Sequence, residues 1–260
     1  MLDAQSKPEK YIQSVSRASK ILEYIAATGN SVGLSDISRG IDLSKSTTFG
    51  LISTLEKLKY VQQDQETGKY SLGLILFQLG KIVHDSMDLR AIAMPFLNEL
   101  ARKYEETVHL AVLSKAEVIY IDKVDSSRSI RIISNVGGSN PAFCTGVGKV
   151  LLAGLSDAAV DQLFSGKEMK KYTVNTIVDL AVLHAHLQMV RDQGYAFDLE
   201  EIDLGLNCVA APIRNYQGLV IAAISVSGPS NRLDQQRLHE LKTDVMATAN
   251  LISIQLGYKV

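Results

Sequence analysis

The chain has 260 residues, of which 46% are hydrophobic and 21% are charged, and its formal net charge is −1. This length suits a small domain followed by a larger one, and the apolar fraction excludes a largely disordered chain. The near-zero charge argues neither for nor against a polyanionic partner. No apolar run approaches the roughly 20 residues that cross a bilayer, and the polar start lacks a signal-peptide core. We therefore expect a cytoplasmic protein with no membrane partner.

The first 75 residues have the pattern of a winged helix-turn-helix. Residues 1–12 are polar and predict a flexible tail. Apolar residues at helical spacing then predict a helix from Ser14 to about residue 28, a short one after Ser35, and a third from Ser44 to about residue 59. Residues 60–72 predict a short hairpin. Three helices followed by a hairpin indicate a DNA-binding domain over residues 13–75, with double-stranded DNA as its partner.

The third helix is the expected recognition helix. Its polar face and the following wing supply the expected DNA contacts, which are Lys45, Ser46, Thr47, Phe49, Ser53 and Lys69. Phe49 is unusual on a polar face. It either meets a thymine methyl group or folds back onto the wing, and the sequence favours neither. A protein-binding surface without DNA is the alternative for the whole helix.

From residue 73 onward the pattern changes. Residues 73–88 predict a helix that is apolar on more than one side, which suits a linker that pairs with a second copy. Residues 90–260 predict an α+β domain with an antiparallel sheet flanked by helices. The expected helices cover residues 90–105, 147–155, 157–164, 179–193 and 234–256. The expected strands cover residues 108–113, 118–124, 129–134, 195–199, 207–214 and 219–227.

Two segments of this second domain suggest a ligand site. Residues 145–149 read TGVGK before an apolar helical run, and a helix N-terminus attracts anions such as carboxylates. A tight turn that packs the helix on the sheet explains the glycines equally well. Ser225 and Ser227 face the same side of a strand, either at the edge of a cavity or bonded to the sheet backbone.

Cysteine chemistry supplies the competing hypotheses. Cys144 and Cys208 are far apart and have neither metal-ligand nor redox-motif spacing, so we expect a reduced protein with no metal or other cofactor. One alternative is an enzyme with Cys208 as its nucleophile, although no histidine stands at a spacing that signals an activated thiol. Another is a metal sensor that uses Cys208 with Asp198 or Glu200, although a His/Cys cluster is lacking.

Ten short segments, in this order and spacing, resemble the IclR (isocitrate lyase regulator) family of bacterial transcription factors. They are SRA (16–18), LSKST (43–47), GKYSLG (68–73), ETVHL (106–110), YIDKV (120–124), TGVGK (145–149), NTI (175–177), RDQGY (191–195), CVAAP (208–212) and SVSGP (225–229). The resemblance implies a winged-helix domain, a linker helix and a GAF-like effector-binding domain. It also implies dimers or tetramers that control catabolic genes, and no enzymatic activity.

The resemblance also implies which residues bind the effector. They are Ile132, Gly146, Val147, Asp198, Leu206, Cys208, Ser225 and Ser227. The backbone of Gly146 and Val147 would hold a carboxylate, and Asp198 would accept a hydrogen bond from an effector hydroxyl. His109 is expected to be a packed core residue and not a ligand. The chain departs from the family at Gly50, where arginine is common, and at Val147, where some members have alanine.

Overall fold

The structure is a computed structural model that describes residues 11–86, 88–129, 132 and 134–259. The chain divides into two compact units, Met1–Met87 and Asp88–Val260. Apart from residues 11 and 12, the predicted tail lies outside the described residues. Within the described part of the chain, no helix is both long and apolar enough to cross a membrane.

The first unit contains the predicted three helices and hairpin. Its elements are α1 (Gln13–Ala27), α2 (Leu34–Gly40), α3 (Lys45–Lys57), β1 (Val61–Gln63), β2 (Tyr70–Leu72) and α4 (Leu74–Ser86). Ile21 and Ile25 of α1 pack against Ile37 of α2 and Ile52 of α3, and all four side chains are fully buried. β1 and β2 pair antiparallel across a short turn. The resulting hairpin packs as a wing beside this core.

The helix starts in this unit differ in part from the sequence prediction. Ser44, at which the sequence predicts that α3 starts, is the cap of this helix, since its side chain accepts a hydrogen bond from the Thr47 backbone N–H at 3.2 Å. The sequence also predicts Ser14 and Ser35 as the N-caps of α1 and α2, and this prediction was wrong because both serines lie inside their helices. The residues that precede α1 and α2 are Ile12 and Gly33, and neither makes a side-chain cap. At both positions the backbone is extended, and the helix starts without a side-chain cap.

The second unit is an α+β domain, as predicted. Its elements are α5 (Leu89–Tyr104), β3 (Thr107–Ser114), β4 (Glu117–Val124), β5 (Ser139–Pro141), a 3-10 turn (Ala142–Cys144), α6 (Gly146–Ala153), α7 (Asp157–Phe164), α8 (Leu180–Gln193), β6 (Ala196–Leu199), β7 (Leu206–Arg214), β8 (Val220–Pro229) and α9 (Gln235–Gln255). The six described strands form one antiparallel sheet in the order β5-β4-β3-β8-β7-β6.

The sheet has a hydrophobic core on each face because alternate residues of a strand point to opposite sides. Ile224 and Val226 of β8 pack with α5 and α9 on one face. Ala223 of β8 and Ala210 of β7 pack with α6, α7 and α8 on the other. Ser225 and Ser227 share the side of Ala223, so the α6 face of the sheet carries the polar residues that matter below.

One predicted strand is not found in the described residues. Residues 129, 132 and 134 of the predicted segment 129–134 are not in a strand, and residues 130, 131 and 133 lie outside the described residues. β4 pairs with β3 on one side and with β5 on the other, and the sequence analysis missed β5. β5 has only three residues and ends at Pro141, too short and too polar to show the alternation that marks a strand.

Candidate functional sites

The exposed face of α3 begins with the predicted DNA contacts. Lys45, Ser46 and Thr47 are exposed in the first turn of the helix, and Ser53 is half-buried one to two turns later. The hydroxyls of Ser46 and Thr47 lie 3.1 and 2.8 Å from Ser44 Oγ, so the cap and its neighbours form one polar group. Because these side chains surround the start of α3, they occupy the end of the helix that meets base edges and phosphates in this motif.

The exposure of Phe49 tests the two alternatives that the sequence left open, which are an outward position and packing on the wing. Its side chain is 55% exposed, and it is absent from the residues that pack against the core of the first unit. Phe49 therefore does not fold back onto the wing. Thr48 and Ile52 of α3 are fully buried, which fixes the rotation of the helix, and Phe49 stands outside this buried face.

The wing places one cation beside its turn. Lys69 is exposed and immediately precedes β2. The turn before it is ordered by Asp64, whose carboxylate accepts backbone N–H groups of Glu66 and Thr67 at 2.9 and 2.8 Å. These hydrogen bonds lower the pKa of Asp64 below its usual value. The wing therefore presents Lys69 from a defined turn.

The second unit contains a cavity of about 240 Å³ on the α6 face of the sheet. All eight residues that the sequence analysis assigned to the effector line it: Ile132, Gly146, Val147, Asp198, Leu206, Cys208, Ser225 and Ser227. They come from α6, β6, β7, β8 and the loop that contains Ile132, so the fold brings together residues up to 95 positions apart in the chain. The lining also includes His109, Tyr120, Ser134, Asn140, Thr145, Ile202 and Asp203.

One end of the cavity is the N-terminus of α6. Thr145 caps this helix by accepting the Gly148 N–H at 3.2 Å, and Gly146 and Val147 occupy the first two helical positions. The first N–H groups of a helix have no acceptor within it and form a positive end. A side chain at Gly146 would place its Cβ 2.6 Å from Cys208 Sγ. Glycine is therefore required for the helix to start this close to the sheet.

The sheet wall of the cavity is a polar cluster on neighbouring strands. Ser225 of β8 pairs with His109 of β3, and the hydroxyls of Ser225 and Ser227 are 3.4 Å apart. His109 Nε2 lies 2.8 Å from Ser134 Oγ, and its ring lies 4.8 Å from that of Tyr120. The expectation that His109 is only a core residue was incomplete, because it is buried and also lines the cavity. Burial lowers the pKa of His109 to about 4, so the ring is neutral near pH 7.

Asp198 forms another part of the wall. Its side chain is 2% exposed, and one carboxyl oxygen accepts the Glu201 backbone N–H at 2.8 Å. Burial raises the pKa of Asp198 to about 7, against the opposing influence of Lys149. Near neutral pH the carboxyl group therefore exists in both states. It can donate a hydrogen bond when protonated, which widens the role expected from the sequence, where it was only an acceptor.

A buried ion pair lies behind this wall. The Lys149 ammonium group of α6 binds Glu201 Oε1, and both residues are almost inaccessible to solvent. The other carboxyl oxygen of Glu201 is buried and has no hydrogen-bond partner in the described residues. The pair ties α6 to the loop that carries Ile202 and Asp203, two further cavity residues. Sequence reasoning missed this pair, because a lysine and a glutamate 52 positions apart give no local signal.

The two cysteines show no sign of activation. Burial raises the pKa of both Cys144 and Cys208 to about 12, so each thiol is protonated at neutral pH. A nucleophilic cysteine requires the thiolate. Among the described residues there is also no group of three or more His, Cys, Asp or Glu side chains that could hold a metal ion. Neither alternative based on Cys208 gains support from the geometry.

Comparison with known families decides the identity of both units. The model of the IclR helix-turn-helix domain matches residues 14–65, and the model described as bacterial transcriptional regulator IclR C-terminal matches residues 81–254. The chain belongs to the IclR family. Members of this family are transcriptional regulators and not enzymes, and the helix-turn-helix makes DNA the partner of the first unit.

Individual relatives agree over nearly the whole chain. HTH-type transcriptional regulator KdgR of Escherichia coli is 38% identical over 257 residues, which are 98% of each protein. HTH-type transcriptional regulator XynR of the same organism is 36% identical over 95% of this chain and 98% of that protein. HTH-type transcriptional repressor AllR of Salmonella typhimurium is 35% identical over 98% of this chain and 94% of that protein.

Solved structures of the family support the same fold. The Agobacterium tumefaciens repressor BlcR superposes with a TM-score of 0.81 at 26% identity, over 96% of this chain and 99% of that one. Thermotoga maritima IclR superposes with a TM-score of 0.63 at 30% identity, over 95% of this chain and 100% of that one. The C-terminal domain of Escherichia coli KdgR is 39% identical and covers 66% of this chain.

Proposed function

We propose that this IclR-family regulator binds operator DNA as a dimer or tetramer in the cytoplasm and that a small organic acid in the cavity of the second unit changes its DNA affinity. The winged helix-turn-helix at residues 13–75 would bind the DNA, residues 73–88 would link and pair the subunits, and residues 90–260 would bind the effector. The regulated genes would serve catabolism of that acid or its precursors.

The observation that carries the effector part is the composition of one cavity. A helix N-terminus closes one end, and Ser225, Ser227, Asp198 and His109 stand on the sheet side. No lysine or arginine side chain lines it among the described residues, so the positive end of α6 is the natural partner for a carboxylate. The hydroxyls and the carboxyl group opposite suit a second polar group on the same small molecule.

The DNA part is supported by the exposed start of α3. Lys45 and Lys69 provide cations at the helix and the wing, but acidic residues nearly balance the basic ones over residues 1–60. Because phosphate neutralisation supplies most of the affinity, one copy would bind weakly. Two or four copies would raise the affinity through effective concentration.

Oligomerisation is supported by α4. Leu74, Phe77 and Ile82 on this helix are 71%, 70% and 66% exposed, which is unusual for large apolar side chains within three turns of one helix. A second copy of α4 would cover them. Because α4 follows the wing directly, its pairing would set the spacing between two recognition helices, and the effector would act by favouring one spacing over another.

The DNA part is tested with the full-length protein and duplexes selected from a random-sequence library. We expect one enriched sequence, and binding that weakens steeply between 50 and 200 mM salt. Lys45→Ala should weaken binding by about tenfold, whereas Lys115→Ala, an exposed lysine of the second unit, should have no effect. Failure to enrich any duplex in any ligand condition would refute the proposal.

The effector part is tested by thermal shift of the same protein with a panel of two- to seven-carbon carboxylic acids. A ligand at 100 times its dissociation constant stabilises the native state by about 2.7 kcal/mol, which is easily detected as a rise in Tm. The corresponding amides serve as controls, because they lack the anion. Ser227→Ala should reduce the shift. If no acid raises Tm more than its amide, the carboxylate assignment is wrong.

A further inference from the structure

The outward face of α3 is unusual for a helix that reads base edges. At 100° per residue, Ser46, Phe49, Gly50, Ser53 and Lys57 lie within one sector of the helix. Of the side chains that commonly read guanine or adenine, which are Arg, Lys, Asn and Gln, this sector contains only Lys57, at the C-terminal end of the helix. Its one aromatic side chain is Phe49, which lies at one edge of the sector. A hydrogen-bonding readout of purines therefore has little basis here.

Phe49 offers a different kind of contact. It is 55% exposed, stands outside the core of the first unit, and begins the second turn of α3. The only apolar group that a base pair presents in the major groove is the 5-methyl group of thymine. An aromatic side chain held outward on a recognition helix matches that group in chemistry and in position.

Gly50, next to Phe49, is not explained by the fold. An added Cβ would meet no atom within 4 Å, and Gly50 is not among the residues with positive φ. A glycine in mid-helix lowers helix stability relative to alanine. The contrast is Gly73, where an added Cβ would lie 2.0 Å from the Lys59 carbonyl oxygen. The free chain therefore gains nothing from the missing side chain at position 50, whereas a surface that must approach α3 closely does.

We propose that Phe49 and Gly50 together read a thymine methyl group in the major groove, with Phe49 packing on the methyl and Gly50 leaving room for the base edge. The inference rests on the proposed function, since it requires operator DNA. It makes Phe49 and Gly50 the specificity-determining pair of this helix. The cations Lys45 and Lys69 then contribute affinity that is independent of sequence.

The first test removes single methyl groups from the DNA. In the duplex enriched by the wild-type protein, each thymine is replaced in turn by deoxyuridine, and the dissociation constant is measured by fluorescence anisotropy. At one thymine in each half-site, replacement by deoxyuridine should weaken wild-type binding by about fourfold, which is the loss that corresponds to one buried methyl group. Phe49→Ala should bind the unmodified duplex less tightly than the wild type does. Its affinity should not fall further when that thymine is replaced by deoxyuridine.

Two results of this test would overturn the inference while leaving DNA binding intact. One is a wild-type protein that binds every deoxyuridine duplex as tightly as the original. The other is a Phe49→Ala variant that is as sensitive as the wild type at the same thymine. If the wild type enriches no duplex at all, the proposed DNA-binding function is itself refuted. Failure of that function can therefore be distinguished from failure of the thymine-methyl readout.

The second test uses Gly50→Ala, for which folding and DNA binding should change in opposite directions. Alanine favours the helix, so Tm should rise, by about 4 °C for the first unit, while affinity for the selected duplex should fall at least tenfold. Thr243→Ala, at an exposed position within α9 of the second unit, is the control, because it also raises helical propensity but lies outside α3. Unchanged DNA affinity in Gly50→Ala would contradict the close approach.

Discussion

The carboxyl group of Asp198 links the effector cavity to pH. Its pKa is about 7 in the folded protein, raised by burial from an ordinary value of 3.8. Between these two values the folded state holds a proton that the unfolded state has lost, so the free energy of unfolding falls as pH rises from about 4 to 7. An asparagine in place of Asp198 would resemble the protonated acid at every pH.

We therefore predict that Asp198→Asn gains stability relative to the wild type as pH rises. The difference in the free energy of unfolding should increase by roughly 2–3 kcal/mol between pH 5 and pH 7, as about 1.4 kcal/mol per pH unit accumulates. Urea unfolding at pH 5, 6, 7 and 8 measures this. Asp203→Asn, at an exposed neighbouring carboxylate, is the control. Parallel stability curves for Asp198→Asn and the wild type would contradict the prediction.

The buried pair of Lys149 and Glu201 gives a second prediction at the residue scale. Lys149→Met should destabilise the protein by about 3–5 kcal/mol, because it leaves the Glu201 carboxylate buried without its partner. The double variant Lys149→Met/Glu201→Gln should recover part of that loss, since no net charge then remains buried. Chemical unfolding of the single and double variants provides the measurement.

The control for this pair is an exposed one. On α9, Arg237 Nη1 lies 2.8 Å from Glu240 Oε2, and both side chains are about half exposed. Arg237→Ala should cost less than about 1 kcal/mol, because water screens the interaction. Equal losses for Lys149→Met and Arg237→Ala would mean that burial does not determine the strength of the first pair.

At the scale of elements, the caps of α3 and α7 form a matched pair. Ser44 accepts the Thr47 N–H at 3.2 Å, and Ser156 accepts the Ala159 N–H at 3.3 Å. Ser44→Ala and Ser156→Ala should each cost about 1 kcal/mol of stability. We predict that only Ser44→Ala also weakens DNA binding, because the start of α3 carries the proposed contacts. Anisotropy titrations beside melting curves test this, and equal DNA affinities for both variants would contradict it.

Elements with strong periodicity were predictable from the sequence. The apolar spacing of α1 and α3, the largely apolar runs of β3, β7 and β8, and the turn at Gly68 all depend on local patterns. β5 was missed because its pairing with β4 is set by tertiary contact alone. The same limit applied to Ser14 and Ser35, since a serine near a helix start does not show whether it lies before or inside the first turn.

Local sequence patterns predicted less of the cavity than of the helices and strands. Its eight expected residues came from the family resemblance, and local patterns alone had left the glycines before α6 and the two serines of β8 ambiguous. His109, Ser134 and Asn140 reach the cavity only because β3, β4 and β5 lie side by side. Likewise, the pKa of Asp198 depends on burial, which no spacing of residues encodes.

At the scale of the whole molecule, the exposed apolar side chains of α4 predict how copies associate. Phe77→Glu should shift the protein toward smaller oligomers, because it places a charge where two copies of α4 would pack. Sedimentation velocity at several concentrations measures the change, and DNA affinity should fall with it. Gln78→Glu adds a charge to the same helix without removing an apolar group, so it should leave the oligomer intact. An unchanged mass for Phe77→Glu would exclude α4 as the pairing surface.

The two outer strands of the large sheet have a consequence for aggregation. β5 has three residues and ends in a proline, which lacks an N–H group, and β6 at the other side has four residues. Short edges of this kind give an incoming strand few backbone groups to pair with. We therefore expect that copies of this chain join through helices and side chains, and that the sheet does not continue from one subunit into the next, even at high protein concentration.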